Sequence, residues 1–106
     1  MNPSVQQLQV RQVKLVGGPA DGLISMASHS TAIADGEIYV WDGSKDHNRF
    51  VHAKSYLATL PKEQRAEEIT FVKSWCEHPR PLTGQEPMPA WRFRAWLELI
   101  RYGQVE

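Results

Sequence analysis

A glycine-rich turn constrains the first half of this chain more than any other feature does. Gly-Gly-Pro-Ala-Asp-Gly occupies residues 17–22. Glycine adopts left-handed backbone angles without steric cost, and proline holds φ at about −65°. Such a run ends regular structure and reverses the chain. With Leu, Val and Ile recurring on both sides, the sequence predicts strands over 8–16 and 23–27. A shift in the phase of alternation between Val10 and Val13 predicts a β-bulge in the first of them.

Asp-Gly pairs then recur at residues 21–22, 35–36 and 42–43 and favour tight reversals. Between the last two pairs lies Glu-Ile-Tyr-Val-Trp, residues 37–41, which alternates apolar residues on both faces. This pattern predicts a central strand covered on both sides. Residues 50–57 fit a fourth strand and, nearly as well, a short helix; we favour the strand.

Proline marks a change of structure in the second half. Pro61 suits the start of a helix, and apolar residues recur at helical spacing as far as Cys76. This spacing predicts that the Cys76 thiol is buried and inert. Residues 79–89 are a Pro-rich loop, and residues 90–102 form a second helix that Gly103 ends.

These elements predict one α+β domain over residues 1–106. We expect a three- or four-stranded antiparallel meander with two helices packed on it. Residues 1–7 are polar and are expected to form a loose N-terminal arm.

Composition excludes some classes of function. Twelve basic and twelve acidic residues balance, which argues against a duplex-binding surface of concentrated positive charge. A single cysteine cannot form an internal disulfide. The chain has no signal-peptide pattern and no apolar run of the roughly 20 residues that a membrane helix needs, so we expect a cytoplasmic protein.

The turn is also the first candidate for chemistry, since glycine-rich turns cradle phosphate when their N–H groups converge. Here no Gly-Lys-Ser/Thr follows, Pro19 lacks a donor, and Asp21 would repel an anion. We therefore interpret Gly17, Gly18, Pro19, Asp21 and Gly22 as a motif that shapes a hairpin.

No zinc spacing and no nucleophile elbow is present, so the sequence assigns no catalytic residue, metal ligand or cofactor. A divalent-cation site assembled from Asp42, Asp46 and His47 remains open.

Aromatic and arginine residues alternate from Trp91 to Trp96. Such a run can stack bases and neutralise phosphates on single-stranded nucleic acid. It also fits a helix with a buried aromatic side, whose arginines anchor a protein interface. We prefer the interface, and we predict as its binding residues Trp91, Arg92, Arg94, Arg101 and Tyr102.

At residues 13–22 the chain resembles a group of small phage and prophage proteins. They carry a strand, Gly-Gly-Pro-x-Asp-Gly, a second strand and a downstream tyrosine, for which Tyr39 is the candidate here. The resemblance covers at most the first 40 to 60 residues and carries over no activity. It implies a phage or prophage origin and, with it, the host cell cytoplasm.

For function, we expect a non-enzymatic accessory protein that binds a host or phage protein. It could inhibit a host or anti-phage defence component, in the manner of an anti-CRISPR protein, or assemble into a homo-oligomer. One alternative is single-stranded nucleic-acid binding through Trp91–Trp96. Another is a small hydrolase or nucleotide-binding protein that uses Asp21, Asp42, Asp46 and His47.

Overall fold

The computed structural model describes residues 10–27 and 30–105. The chain divides into two compact units, with the boundary between His52 and Ala53. In the described residues the first unit holds the strands, which are β1 (Arg11–Val16), β2 (Ile24–Ala27), β3 (Thr31–Ala34), β4 (Glu37–Trp41) and β5 (Arg49–His52). The second unit holds the helices, which are α1 (Ala53–Leu57), α2 (Lys62–Glu77) and α3 (Ala90–Arg101).

The strands form one five-stranded mixed sheet in the order β2-β1-β5-β4-β3. β1 is antiparallel to β2 but parallel to β5, and β4 is antiparallel to both β3 and β5. The two end strands, β2 and β3, also contact each other, so the sheet is nearly barrel-shaped. The α+β class is confirmed, whereas the simple antiparallel meander with two helices is wrong. The parallel β1–β5 pair joins segments remote in sequence, which local patterns do not encode.

The hairpin of β3 and β4 follows from its turn residues. Ala34 pairs with Glu37, so Asp35 and Gly36 form a two-residue loop with φ of 54° and 73°. Positive φ at both loop positions is the type I′ geometry that matches the twist of the flanking strands. The predicted strand over 37–41 is confirmed, and its side chains are buried on both faces.

One side of the sheet supplies a core that β1, β4 and β5 share. Parallel pairing sets Leu15 beside Phe50, and antiparallel pairing sets Trp41 beside Phe50 from the other side. The buried members of this cluster are Val13, Leu15, Ala20, Ala27, Ala32, Tyr39 and Phe50.

Residues 50–57 divide between the two structures that the sequence allowed. Phe50–His52 belongs to β5, and the helix α1 begins at Ala53. The favoured single strand over this stretch is therefore wrong beyond His52.

The two long helices lie where they were predicted. Pro61 and Pro89 each precede the first helical residue, and Gly103 follows α3 with a φ of +70°. Residues 79–89 contain neither helix nor strand. The prediction for Cys76 is wrong, since the thiol is exposed. The buried side chains of α2 are Glu68 and Val72, and Val72 lies about one helical turn before Cys76.

The predicted loose arm at residues 1–7 lies outside the described residues, as does Leu8 of the predicted bulge. No helix in the part of the chain that the structure describes is long and apolar enough to span a membrane.

Candidate functional site

The glycine-rich turn is held by one buried phenol. The Tyr39 hydroxyl donates to the carbonyl oxygen of Gly17 at 2.7 Å and accepts from the Ala20 N–H at 2.9 Å. Tyr39 is completely buried, so these bonds form in a water-poor environment where their loss is costly. These two bonds give a physical reason why a glycine-rich turn and a tyrosine later in the sequence occur together in this chain.

The aspartate of the turn acts on the same backbone. Asp21 Oδ1 accepts from the Gly17 N–H at 2.6 Å, and the Gly22 N–H donates to the Leu15 carbonyl at 2.8 Å. Two of the N–H groups that a phosphate cradle would present, those of Gly17 and Ala20, are thus already bonded within the protein. This geometry favours the shaping role of the motif.

Gly18 shows why the turn needs glycine at this position. Its φ is +64°, and a Cβ placed there would lie 2.5 Å from His52 Cγ and 2.7 Å from the Tyr39 hydroxyl. The His52 ring packs on the Tyr39 ring at 5.3 Å between centroids, and its Nε2 lies 2.7 Å from Glu37 Oε1. Sequence reasoning identified the turn and Tyr39 but missed His52, which the β4–β5 register places directly opposite Tyr39.

The helical unit contains a different polar constellation, around Glu68. This carboxylate is completely buried and accepts from both Arg92 Nε and Nη2 at 2.9 Å. Trp96 Nε1 donates to it at 2.7 Å, and Gln64 Nε2 donates at 2.9 Å. A buried charge requires such partners, so the cluster joins α2 to α3. Nothing in the sequence marked Glu68 as an interior residue.

The predicted binding residues of the C-terminal helix therefore fall into two groups. Arg92 is bonded to Glu68 and is only 14% exposed at its side chain, and the half-buried Trp91 ring packs on Tyr56 at 5.5 Å. The other group, exposed to solvent, comprises Arg94, Arg101 and Tyr102.

Two of the aromatic rings in the Trp91–Trp96 run, Phe93 and Trp96, are buried. With Arg92 neutralised by Glu68, the run does not present the alternating row of rings and cations that base stacking requires.

The Asp42–His47 segment is ordered by its own contacts. Asp42 Oδ2 accepts from Arg49 at 2.6 Å, and Asp46 Oδ1 accepts from the Asn48 N–H at 3.0 Å. Partial burial alone would raise the pKa of Asp42, but hydrogen bonds from Ser44 and the Arg49 charge outweigh it and hold that pKa below its ordinary value.

His47 stacks on the Trp41 ring at 4.8 Å. Within residues 10–27 and 30–105, no group of three His, Cys, Asp or Glu side chains could hold a metal ion. Asp21 belongs to the glycine-rich turn, where it accepts from the Gly17 N–H. The partners of Asp42 and Asp46 are different residues, Arg49 and Asn48.

An apolar surface lies on β2 and β3. Ile24 and Met26 are 60% and 55% exposed and are paired with Lys14 and Gln12, on the outward face of β1. Ile33 is exposed on β3, which contacts β2. We call this the β2–β3 apolar surface; its members are Ile24, Met26 and Ile33. Val10 and Leu23, which directly precede β1 and β2, are also exposed. Burial in the fold does not explain the apolar character of these positions.

Comparison with known proteins adds no assignment. No protein-family model matches the chain, and no curated protein or solved structure is significantly similar to it.

Proposed function

We propose that this protein is a non-enzymatic binding protein whose partner docks on the β2–β3 apolar surface. The observation that carries the proposal is the exposure of three large apolar side chains, Ile24, Met26 and Ile33, on two strands that contact each other. Single exposed apolar residues are common, but a contiguous group on neighbouring strands marks an interaction surface.

The chemistry of the surface favours a protein partner. Residues 23–27, Leu-Ile-Ser-Met-Ala, contain no charged side chain. Nucleic-acid binding needs clustered cations, whereas the core of a protein interface is depleted of charge and accepts Met readily. Methionine also adapts its shape to an opposing surface.

Its position in the fold also suits docking. β1 pairs with β2 along Arg11–Lys14, and the buried core cluster underlies β1. The exposed side chains are therefore carried by a supported strand, so a partner does not have to order them on binding.

The partner is a host or phage protein, or a second copy of this chain. The resemblance at residues 13–22 is the support for a phage origin and for inhibition of a host or defence component. The exposed Arg94 and Arg101 of α3, together with Tyr102 directly after it, are the second surface to examine.

The test compares two variants that each remove exposed apolar side chains. In the first, Ile24→Thr and Met26→Thr are combined, because threonine keeps the strand propensity while removing apolar contact area. In the matched control, Leu82→Thr changes an exposed apolar residue of the Pro-rich loop, outside the surface. Light-scattering mass and capture of partners from host lysate are measured for all three proteins.

We expect the wild type and Leu82→Thr to show the same self-association or the same captured protein. Ile24→Thr/Met26→Thr should lose it while keeping the wild-type unfolding temperature within a few degrees. A monomeric wild type that captures nothing, or a double variant that binds as the wild type does, contradicts the proposal.

A further inference from the structure

The helical unit contains an open cleft that none of the functions considered above uses. It has a volume of about 420 Å³ and is lined by residues of α1, α2 and α3 and by the segment after α3. Sites for small molecules in proteins typically measure roughly 300–1,000 Å³. We call it the helical cleft.

The wall of the helical cleft is largely apolar and is held in place. Its apolar side chains are Leu57, Ile69, Leu99 and Val105, with the ring of Trp96. Because Trp96 Nε1 donates to the buried Glu68 at 2.7 Å, the indole ring is fixed before any ligand arrives. A preformed wall of this kind lowers the entropic cost of binding.

The charged residues of the cleft are all of one sign. Lys54 and Arg65 line it, and neither Asp nor Glu is among its lining residues in the described chain. Arg65 Nε donates to the Leu60 carbonyl at 3.1 Å, which positions the guanidinium and leaves Nη1 and Nη2 outside that bond. Two cations beside an apolar wall complement a ligand with one anionic group and an apolar body.

We infer that the helical cleft binds an amphipathic monocarboxylate of medium-chain fatty-acid size. The hydrocarbon lies against Leu57, Ile69 and Leu99, and the carboxylate accepts hydrogen bonds from Lys54 and Arg65. This site is separate in its residues from the β2–β3 apolar surface and does not depend on the function proposed for it.

Decanoate, below its micelle concentration, and the neutral decan-1-ol are the probes. Binding is followed by NMR through the Trp96 indole N–H and the Leu57 and Leu99 methyl groups. We expect saturable shifts at these groups with decanoate. Affinity should rise about fourfold per methylene from hexanoate to decanoate, in proportion to the buried hydrocarbon.

Charge is tested by Lys54→Gln, a change at an exposed position of α1. Decanoate should bind about three- to tenfold more weakly to this variant, while decan-1-ol should bind as it does to the wild type. The control Arg94→Gln removes an exposed cation of α3 that does not line the cleft and should change neither affinity. Glu106→Gln is measured in parallel, because a carboxylate next in sequence to Val105 could compete with the ligand; this variant should bind decanoate at least as tightly.

A second variant tests the apolar wall. Ile69→Trp fills the cleft and should abolish binding of both probes, with the helical content by circular dichroism kept. The inference is overturned if decanoate leaves the Trp96 indole unshifted at millimolar concentration, or if the alcohol binds as tightly as the acid. Shifts confined to Ile24 and Met26 would overturn it as well, since they would show adsorption to the β2–β3 apolar surface.

Discussion

The strand-bearing unit and the helical unit each bury a polar side chain completely, but the two side chains differ in charge and in the partners they hold. In the first unit Tyr39, a neutral phenol, bonds the backbone of a turn at Gly17 and Ala20. In the second unit Glu68, a carboxylate, bonds side chains of two helices. The phenol fixes the shape of a loop, whereas the carboxylate depends on a cation to remain buried.

This difference bears on function. The arginine that the sequence suggested for an interface, Arg92, stabilises the interior of the helical unit. The turn that looked like a ligand loop also serves the fold, through Tyr39 and His52. Both prominent motifs are thus accounted for by structure, and the unexplained surface is the group of apolar side chains on β2 and β3.

The largest effect is expected where a buried charge loses its partner. Arg92→Met leaves the Glu68 carboxylate without its cation and should lower the free energy of unfolding by about 3–5 kcal/mol in urea denaturation. Arg94→Met, on the same helix but exposed, should change it by less than about 0.5 kcal/mol.

The double variant Arg92→Met/Glu68→Gln tests whether the unpaired charge causes this loss of stability. The amide removes the charge but can still accept from Trp96, so part of the lost stability should return. If Arg92→Met and Arg94→Met were equally stable, the ion pair would not support the helical unit as described.

The turn offers a matched pair of glycines. Gly18→Ala places a Cβ against His52 and Tyr39 at a positive φ and should cost roughly 2–4 kcal/mol, from backbone strain plus overpacking. Gly22 also has a positive φ, +85°, but its Cβ would meet nothing within 4 Å. Gly22→Ala should therefore cost only the strain, about 1–2 kcal/mol. If thermal or urea unfolding showed the same loss of stability for both variants, Gly18 would not pack against the rings of Tyr39 and His52.

Removal of the Tyr39 hydroxyl oxygen tests whether its two hydrogen bonds stabilise the turn. Tyr39→Phe keeps the ring but leaves the Ala20 N–H and Gly17 carbonyl without their partner, and should cost about 1–3 kcal/mol. Amide hydrogen exchange at Ala20 should accelerate in the variant. An exchange rate at Ala20 equal to that of the wild type would contradict the role of the hydroxyl.

The smallest effect concerns pH and the Pro-rich loop. Hydrogen bonds from the Thr83 backbone, and further bonds from Gly84 and the Thr83 hydroxyl, hold the pKa of Glu86 below its ordinary value of 4.5. A carboxylate with a lowered pKa stabilises the folded loop above that ordinary value, and the contribution is lost as pH falls through the lower, folded pKa.

The amide proton shifts of Thr83 and Gly84 should therefore titrate with a midpoint below 4.5. Glu86→Gln should abolish that titration. A midpoint at or above the ordinary value would show that these bonds do not form in solution.

Local sequence signals were sufficient to predict those elements that begin or end at a turn residue, a proline or a glycine. The Asp35-Gly36 reversal, the strand after it and the helix between Pro89 and Gly103 are examples. The parallel β1–β5 pair was not predictable, because it depends on contacts between distant segments. β3 was missed because Thr-Ala-Ile-Ala is short and carries one large apolar residue.

The candidate surface was missed for a related reason. Leu23–Ala27 was recognised as a strand, but the face that its apolar residues occupy depends on the register against β1, which sets Ile24 and Met26 opposite the outward-facing Lys14 and Gln12. Glu68 is the opposite case. A glutamate in a polar helix segment is expected to be exposed to solvent, and its burial follows only from the hydrogen bonds that Arg92 and Trp96 donate to it.

Docking of a partner on the β2–β3 apolar surface can be tested by site-specific photo-crosslinking in living cells that express the protein. A benzophenone amino acid replaces Met26 in one chain and Leu82 in another, since both positions are exposed but only the first belongs to the surface. We expect one discrete covalent adduct from position 26, either with a second copy of the chain or with one partner, and none from position 82. Absence of an adduct at position 26, or the same adducts from both positions, would contradict it.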